Sequence, residues 1–486
     1  MNENHVSARA LDTLLGQWRG GASAYRALSD RIRLLTLDGR IPADSRLPAE
    51  RDLSVRLGVS RTTVAAAYRQ LRESGYLLSV RGSGSVVRLP GAPNPTSAPD
   101  ADGILDLSKA TMPALPGLAN AAAHAAAEIP RHLGESGFDP VGIPELRAAI
   151  ADRYGARGLP TTAEQIMVTL GAQHAIALLA RVLVGRGDRA LIETPTYPHA
   201  AEALRAAGGR LTAVNVSAGG PYDDPATRGW DEAALLQTLQ RSSPVVGYLM
   251  PDFHNPTGQS MPCEQRARVA AATEDSCTTL IIDETIAELN IDREGEFVPF
   301  AACADARSAS RIVSVGSVGK TVWGGIRVGW IRAKPALVSK LVAARSANDL
   351  GTPILEQLIV ARLLAEMPAI LAGRRELLRV GRDHLERRLA DTFPDWQVPH
   401  VDGGITAWIN LGSPVSSQLA LAARSHGLLV PAGPRFGLDG AFERFLRLPF
   451  SQPVEETDRA IDALEEAWGS LLRHPFADTG YLADVV

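Results

Sequence analysis

Lysine is scarce in this chain of 486 residues: there are four, Lys109, Lys320, Lys334 and Lys340, among fifty basic side chains. Lys320 stands in SVGSVGKTVWGGIRVGW, Ser314 to Trp330. The run Ile312 to Val315 reads as a short buried strand. It ends in a tight turn of small residues, Gly316, Ser317 and Gly319, around the lysine, and Arg327 follows seven residues on. An amine on such a turn, with a hydroxyl before it and a guanidinium after it, suits a phosphorylated aldehyde. The amine condenses with the aldehyde, and Ser317 and Arg327 take the phosphate. Arginine cannot do this chemistry. A surface lysine on a loop is the plain alternative. GSVGKT also looks like a phosphate loop, but that motif needs a glycine where Ser314 stands.

From Ile104 onward helices alternate with short β-rich runs, the pattern of an α/β sheet. Four further stretches place polar groups at strand ends. IMVTLGAQHAIALLARVL is strand, glycine turn and helix, and the amides of Gly171, Ala172 and Gln173 open that helix as a phosphate site. ALIETPTYPHAAEALRAAGG carries Tyr197 on its loop, an aromatic that could stack on a planar ring or simply pack. VVGYLMPDFHNPTGQSM runs into a turn at Asn255, whose amide can bond a phenolate oxygen. TTLIIDETIAEL ends an apolar strand in Asp283. A carboxylate there needs a partner, and a protonated pyridine nitrogen or the next helix N-terminus would supply one.

The N-terminal stretch differs in charge. Residues 22–90 hold twelve arginines, no lysine and six acidic residues, net +6, which leaves −10 for the remainder of a chain at −4. A basic block on an acidic body points to nucleic acid at that block. Residues 23–38 have helical spacing and Gly39 ends them. A second short helix runs to Leu57, Gly58 turns, and Ser60 caps a third helix that stops at Gly75. Helix, glycine turn and helix is the helix-turn-helix pattern, whose second helix enters the major groove. YLLSVRGSGSVVRL then reads as a two-stranded wing with Arg81 and Gly82 at its tip. A purely structural helical subdomain, its arginines a solvated face, is the plain alternative.

LPAERDLSVRLGVSRTTVAAAYRQLRESGYL is similar to the winged-helix domain of GntR-type bacterial regulators. The resemblance implies DNA contacts at Arg51, Ser60, Arg61, Thr62, Thr63, Tyr68, Arg81 and Gly82. The five later sites resemble, in order and spacing, fold type I aminotransferases that use pyridoxal 5'-phosphate (PLP). That implies a Schiff base at Lys320, and Asp283 on the ring nitrogen. It implies Asn255 on the ring oxygen, Tyr197 stacking, and a phosphate held by Gly171, Ala172, Gln173, Ser317 and Arg327. Arg447 in FLRLPF matches the family's substrate-carboxylate arginine. The two together resemble the MocR-like branch of GntR regulators. The expected fold is therefore a winged helix-turn-helix plus an α/β aminotransferase-like domain with a mixed, mostly parallel sheet.

One departure stands out. The family places a tyrosine shortly after the aspartate, and here Thr285 stands where it would align. A cofactor-binding regulator with weak turnover is the expectation, sensing PLP or an amine or amino acid that condenses with it. An active aminotransferase with an accessory DNA-binding domain is the alternative. The expected domains are 22–88 for DNA, 89–103 as a Pro- and Ala-rich linker, and 104–474 for the effector. A homodimer on a repeated DNA site is expected. No run of 18 apolar residues and no apolar leader occurs, so a cytoplasmic protein is expected. Cys263, Cys277 and Cys303 are read as forming neither a disulfide framework nor a zinc site, and no metal is expected.

Overall fold

The computed structural model describes residues 5–16, 18, 23–37, 40–42, 45–80, 84–88, 103–219, 228–293, 295–438 and 440–473. Gly39, the wing tip with Arg81 and Gly82, and the expected linker up to residue 102 lie outside them.

The N-terminal part packs four helices, α1 (Ala8–Leu15), α2 (Ala24–Leu37), α3 (Glu50–Leu57) and α4 (Arg61–Glu73), against a hairpin. The hairpin pairs β1 (Leu77–Val80) with β2 (Gly84–Val87), antiparallel, Leu77 opposite Val87. Gly58 takes the left-handed conformation (φ 62°) that ends α3 and turns the chain. Ser60 then caps α4 by accepting from the Thr63 amide at 3.1 Å. Val64, Ala67, Tyr68 and Leu71 recur at helical spacing on α4 and are buried against Leu28, Ile32 and Leu53. Helix α1 lies before the expected start at residue 22. It buries Leu11 and Leu15 in the same core, each contributing on the order of ~2 kcal/mol of burial.

The rest is built on an eight-stranded sheet. Its strands are β4 (Ile166–Thr169), β5 (Arg189–Thr194), β6 (Arg210–Ser217), β7 (Gly229–Trp230), β8 (Val246–Leu249), β9 (Thr279–Asp283), β10 (Ile312–Ser317) and β11 (Gly329–Arg332). The spatial order is β4-β11-β10-β9-β8-β5-β6-β7. The central pairs from β10 to β6 are parallel, and β11 and β7 run antiparallel to their neighbours. Strands β8 and β9 are buried almost throughout and read as near-continuous apolar runs, as a sheet covered on both faces requires.

One face is covered by α5 (Leu118–Glu128), α6 (Pro144–Ala156), α9 (Glu232–Ser242), α10 (Cys263–Ser276) and α13 (Ile354–Ala365). The other is covered by α7 (Ala172–Leu183), α8 (Pro198–Ala206) and α12 (Pro335–Arg345). A smaller lobe has its own core, made by α14 (Met367–Thr392), α15 (Ser416–Ser425), α16 (Val454–Arg473) and two small sheets. One sheet pairs β12 (Thr406–Asn410) with β14 (Phe445–Pro449). The other pairs β3 (Leu105–Asp106) with β13 (Leu428–Leu429), parallel.

One cysteine reading is corrected. Cys263 and Cys303 form a disulfide, their Cα atoms 5.5 Å apart. They stand 40 residues apart in sequence. Packing of the α10 N-terminus against the short turn Phe300–Cys303 brings them together, which spacing along the chain could not reveal. The cysteine count therefore carries no argument about the compartment. Among the described residues no cluster could hold a metal ion, and no helix is long and apolar enough to cross a membrane.

Candidate functional site

Strands β4, β5, β8, β9 and β10 all point the same way, because β11 reverses between β4 and β10. Their carboxyl ends meet at one edge of the sheet, the edge where open α/β sheets bind ligands. A cavity of about 690 Å³ lies there. Its walls include Ala172 and Gln173 after β4, Tyr197 after β5 and Asn255 after β8. Asp283 at the end of β9, Ser317 at the end of β10 and Lys320 just after it complete that side with Arg327. Arg447 comes from β14 across the cleft. Sequence order thus becomes one surface.

Lys320 is pushed down to about 8. Burial is the main cause, repulsion from Arg447 adds to it, and Asp283 offsets part. An amine that sheds its proton near pH 8 is a nucleophile at a pH where an ordinary lysine is inert. Its Nζ donates to the Ala110 carbonyl. Arg447 is also buried, lies with its guanidinium 4.9 Å from the Phe436 ring, and donates from Nη2 to the Ser108 carbonyl at 2.6 Å. Its Nε is buried without a hydrogen bond. Burial pulls its pKa down to about 10. A guanidinium kept so poorly solvated favours an anion strongly.

Asp283 receives two donors. The Thr285 amide bonds Oδ1 at 3.0 Å and the Tyr248 hydroxyl bonds Oδ2 at 2.6 Å. Tyr248 is fully buried, and burial first and Asp283 second hold its phenol far above the usual range. Tyr197 is pushed up to about 12 by burial and by the charge of Asp283. The buried Oδ1 of Asn255 has no hydrogen-bond partner.

The phosphate end is shaped by two glycines. Gly171 has φ +85°, and a Cβ there would lie 2.9 Å from Arg327 Nη2. A Cβ on Gly329 would lie 2.8 Å from the Ala172 nitrogen. Glycine at both positions lets the Arg327 guanidinium approach the N-terminus of α7, where amides and dipole favour an anion. Ser317 accepts from the Gly319 amide at 3.0 Å and donates to the Val328 carbonyl at 3.0 Å, which fixes the lysine turn. An anion cradle at one end, a buried carboxylate in the middle, an Asn255 amide whose NH2 can donate to a ring oxygen, and a lysine of low pKa together fit PLP.

The residues expected to meet DNA lie in the N-terminal part, away from the cavity lining. Ser60, Arg61 and Thr62 are exposed and Thr63 is half-buried at the α4 N-terminus, and Arg51 is exposed in the first turn of α3. Tyr68 is corrected: it is fully buried, and its hydroxyl donates to the Pro48 carbonyl at 3.0 Å. It belongs to the core face of α4 and holds the turn before α3, so it has no surface to offer DNA.

The sequence reading missed Tyr248, the segment Ser108–Thr111 that lines the cavity, and Arg435 and His199 on its rim. For Tyr248 there was a signal: a hydroxyl inside an apolar strand needs a partner. The others are joined only through the fold.

Comparison with known proteins agrees with this architecture. Residues 104–464 match the family model "Aminotransferase class I and II". Residues 24–87 match "Bacterial regulatory proteins, gntR family". The chain is similar to the 2-aminoadipate transaminase of Thermus thermophilus, 31% identical over 68% of this chain and 81% of that protein. It is similar over 89% of its length to the HTH-type transcriptional regulator TauR of Rhodobacter capsulatus, at 27% identity and 93% of that protein. Among solved structures, the α-aminoadipate aminotransferase LysN of Thermus thermophilus superposes with a TM-score of 0.68 at 29% identity, covering 76% of this chain and 94% of that one. That structure holds N-(5'-phosphopyridoxyl)-L-leucine.

Proposed function

The chain belongs to the aminotransferase class I and II family and joins to it a gntR-family regulatory domain, and from that premise we propose that it is a transcription regulator whose effector is a carboxylate-bearing amine captured on PLP. The observation that carries this is Arg447, a buried guanidinium with an unpartnered Nε, facing the same cavity as Lys320. An amine brought by its carboxylate to Arg447 is held beside the lysine.

When bound, PLP supplies an aldehyde that condenses with amines and a ring that withdraws electrons. This chain's residues would do the rest. Gly171, Ala172, Gln173, Ser317 and Arg327 would hold the phosphate, and Asn255 and Tyr197 the ring. Asp283 would face the ring nitrogen, held in place by Tyr248 and the Thr285 amide. Lys320 would exchange its place for the effector amine and could carry a proton on Nζ. Thr285 puts no phenol at the ring oxygen, so proton transfers that need a matched acid or base would be slow. That favours sensing over turnover.

DNA would be bound by a domain running through residue 88, with Arg51 and Arg61 on the phosphates and Ser60, Thr62 and Thr63 near base edges. Arg81 and Gly82 would extend the contact through the wing. We place the protein in the cytoplasm, where its DNA is, and read it as a homodimer. Large apolar side chains left exposed, Leu133 at 74%, Phe138 at 67% and Leu350 at 54%, support an interface on the large domain. A monomer by light scattering at micromolar concentration contradicts the dimer.

An absorbance spectrum with PLP, followed by addition of amino acids, tests the reading. A lysine-bound cofactor band that shifts with an amino acid, without keto-acid release, supports a sensor. Turnover of ~1 s⁻¹ or more, ordinary for an enzyme, would favour an active aminotransferase.

A further inference from the structure

Two of the cations that line the cavity, Lys320 and Arg447, are hydrogen-bonded to the same short piece of backbone. Lys320 donates to the carbonyl of Ala110, and Arg447 donates to the carbonyl of Ser108. The piece is Ser108–Thr111, which lines the cavity and has its far end held by Ser451 on the Thr111 carbonyl. Charge-assisted bonds to neutral carbonyls are about twice as strong as ordinary ones. Each here is made by a group with a competing use. A lysine that condenses with an aldehyde gives up two hydrogens in the water that leaves with the carbonyl oxygen. A guanidinium that accepts a carboxylate turns its donors toward it.

The same piece is tied to the DNA-binding part by structured contacts. It follows β3 directly, and the Leu105 and Leu107 amides bond the carbonyls of Gly427 and Leu429 at 2.8 and 2.9 Å. Those residues follow α15, which packs against α2. Arg424 of α15 acts electrostatically on Tyr76 beside the winged-helix core, and the Arg40 guanidinium lies against Gly440. So the path from Lys320 to α2 runs through one segment, one two-strand sheet and one helix.

We propose that Ser108–Thr111 is a strap that ligands displace: occupation of the cavity takes Lys320 and Arg447 from its carbonyls, and the freed strap resets the seat of α2 through β3, β13 and α15. This rests on the reading of Lys320 as the PLP lysine. It gives the sensor a differential contact between two states, without which no ligand shifts an equilibrium.

Hydrogen exchange on the full chain tests it, with PLP as the probe and its binding followed by absorbance. PLP should speed exchange roughly tenfold in peptides covering Leu107–Met112, as local opening does. It should also change exchange in α15 and α2. The double variant Arg40→Gln with Arg424→Gln should keep the response at the strap and lose that in α2. Unchanged or slower strap exchange with PLP bound overturns the strap while the cofactor reading stands. A strap response with α2 unmoved, or an α2 response undiminished in the double variant, overturns the route. Failure to bind PLP overturns the cofactor reading and the strap with it.

Discussion

The protein holds cations in two contrasting settings. On α3 and α4, Arg51 and Arg61 stand in water, and a polyanion would meet them through many weak, screened contacts. In the cavity, Lys320 and Arg447 are buried, and desolvation lowers both pKa values, to about 8 and about 10. The same residue types are used oppositely. The exposed set suits repeated phosphates and tolerates error at any one position. The buried set suits one small ligand and depends on each member, because water does not replace a lost partner there.

The sharpest break in that comparison is Lys320→Ala. It should abolish the absorbance band of lysine-bound cofactor and leave no site that borohydride fixes. In the native protein the rate of PLP capture should rise with pH and level off above about 8, since the unprotonated amine is the nucleophile. Capture that keeps rising toward pH 10.5 would mean that burial does not tune the lysine. Next in size is Arg447→Ala. Losing a buried charge-assisted pair costs on the order of ~2–3 kcal/mol, roughly 100-fold in affinity for a carboxylate-bearing amine. PLP itself should still bind. Because Arg447 repels the Lys320 charge, this variant should also move the capture curve to higher pH. Titration of an amino-acid panel by absorbance measures both shifts, and equal affinity for amines with and without a carboxylate sinks the assignment.

How much of this was legible depended on whether the signal was local. Gly58, Ser60 and Gly75 act within a turn, so the helix-turn-helix could be read directly. The large domain was legible because each strand end carries its own mark: GAQ, Tyr197, Asn255, Asp283 and Lys320. Tyr68 belongs to the buried stripe that its neighbours Val64 and Leu71 mark at helical spacing, a local signal that outweighs the resemblance. The rest was out of reach. The Tyr248–Asp283 bond joins two strands, the Cys263–Cys303 disulfide joins a helix to a distant turn, and Ser108 meets Arg447 across 339 positions. No window along the chain contains such pairs.

Glu284 is next to Asp283 in the chain but outside the cavity lining. It accepts from the Tyr154 hydroxyl at 3.0 Å and from the Phe300 amide at 3.1 Å. Burial pushes its carboxyl up to about 7. The unfolded chain releases this proton near 4.5, earlier than the folded one. Stability from this group is therefore full below pH 4.5 and is lost as pH rises toward 7, by at most on the order of ~3 kcal/mol. Glu284→Gln keeps an acceptor for the Phe300 amide and removes the titration. Its melting temperature should fall less than that of the native protein between pH 5 and 7. Parallel curves would place the proton elsewhere.

The smallest effects are expected at the exposed set, and there two neighbours on one helix separate binding from folding. Arg61→Ala removes one exposed cation at the α4 N-terminus. It should weaken DNA binding about tenfold and reduce the salt slope by ~1, with melting unchanged. Tyr68→Phe removes a hydroxyl whose partner, the Pro48 carbonyl, then lies buried without it. That costs about 1–2 kcal/mol of domain stability. The salt slope should stay at the native value, because a buried phenol releases no counterions. Fluorescence anisotropy with DNA over a salt series, beside thermal melts, gives both readouts. If Tyr68→Phe lowers the salt slope as Arg61→Ala does, the phenol reaches a phosphate and its place in the core is wrong. If neither variant changes the slope, the α4 N-terminus is not where the backbone of DNA lies.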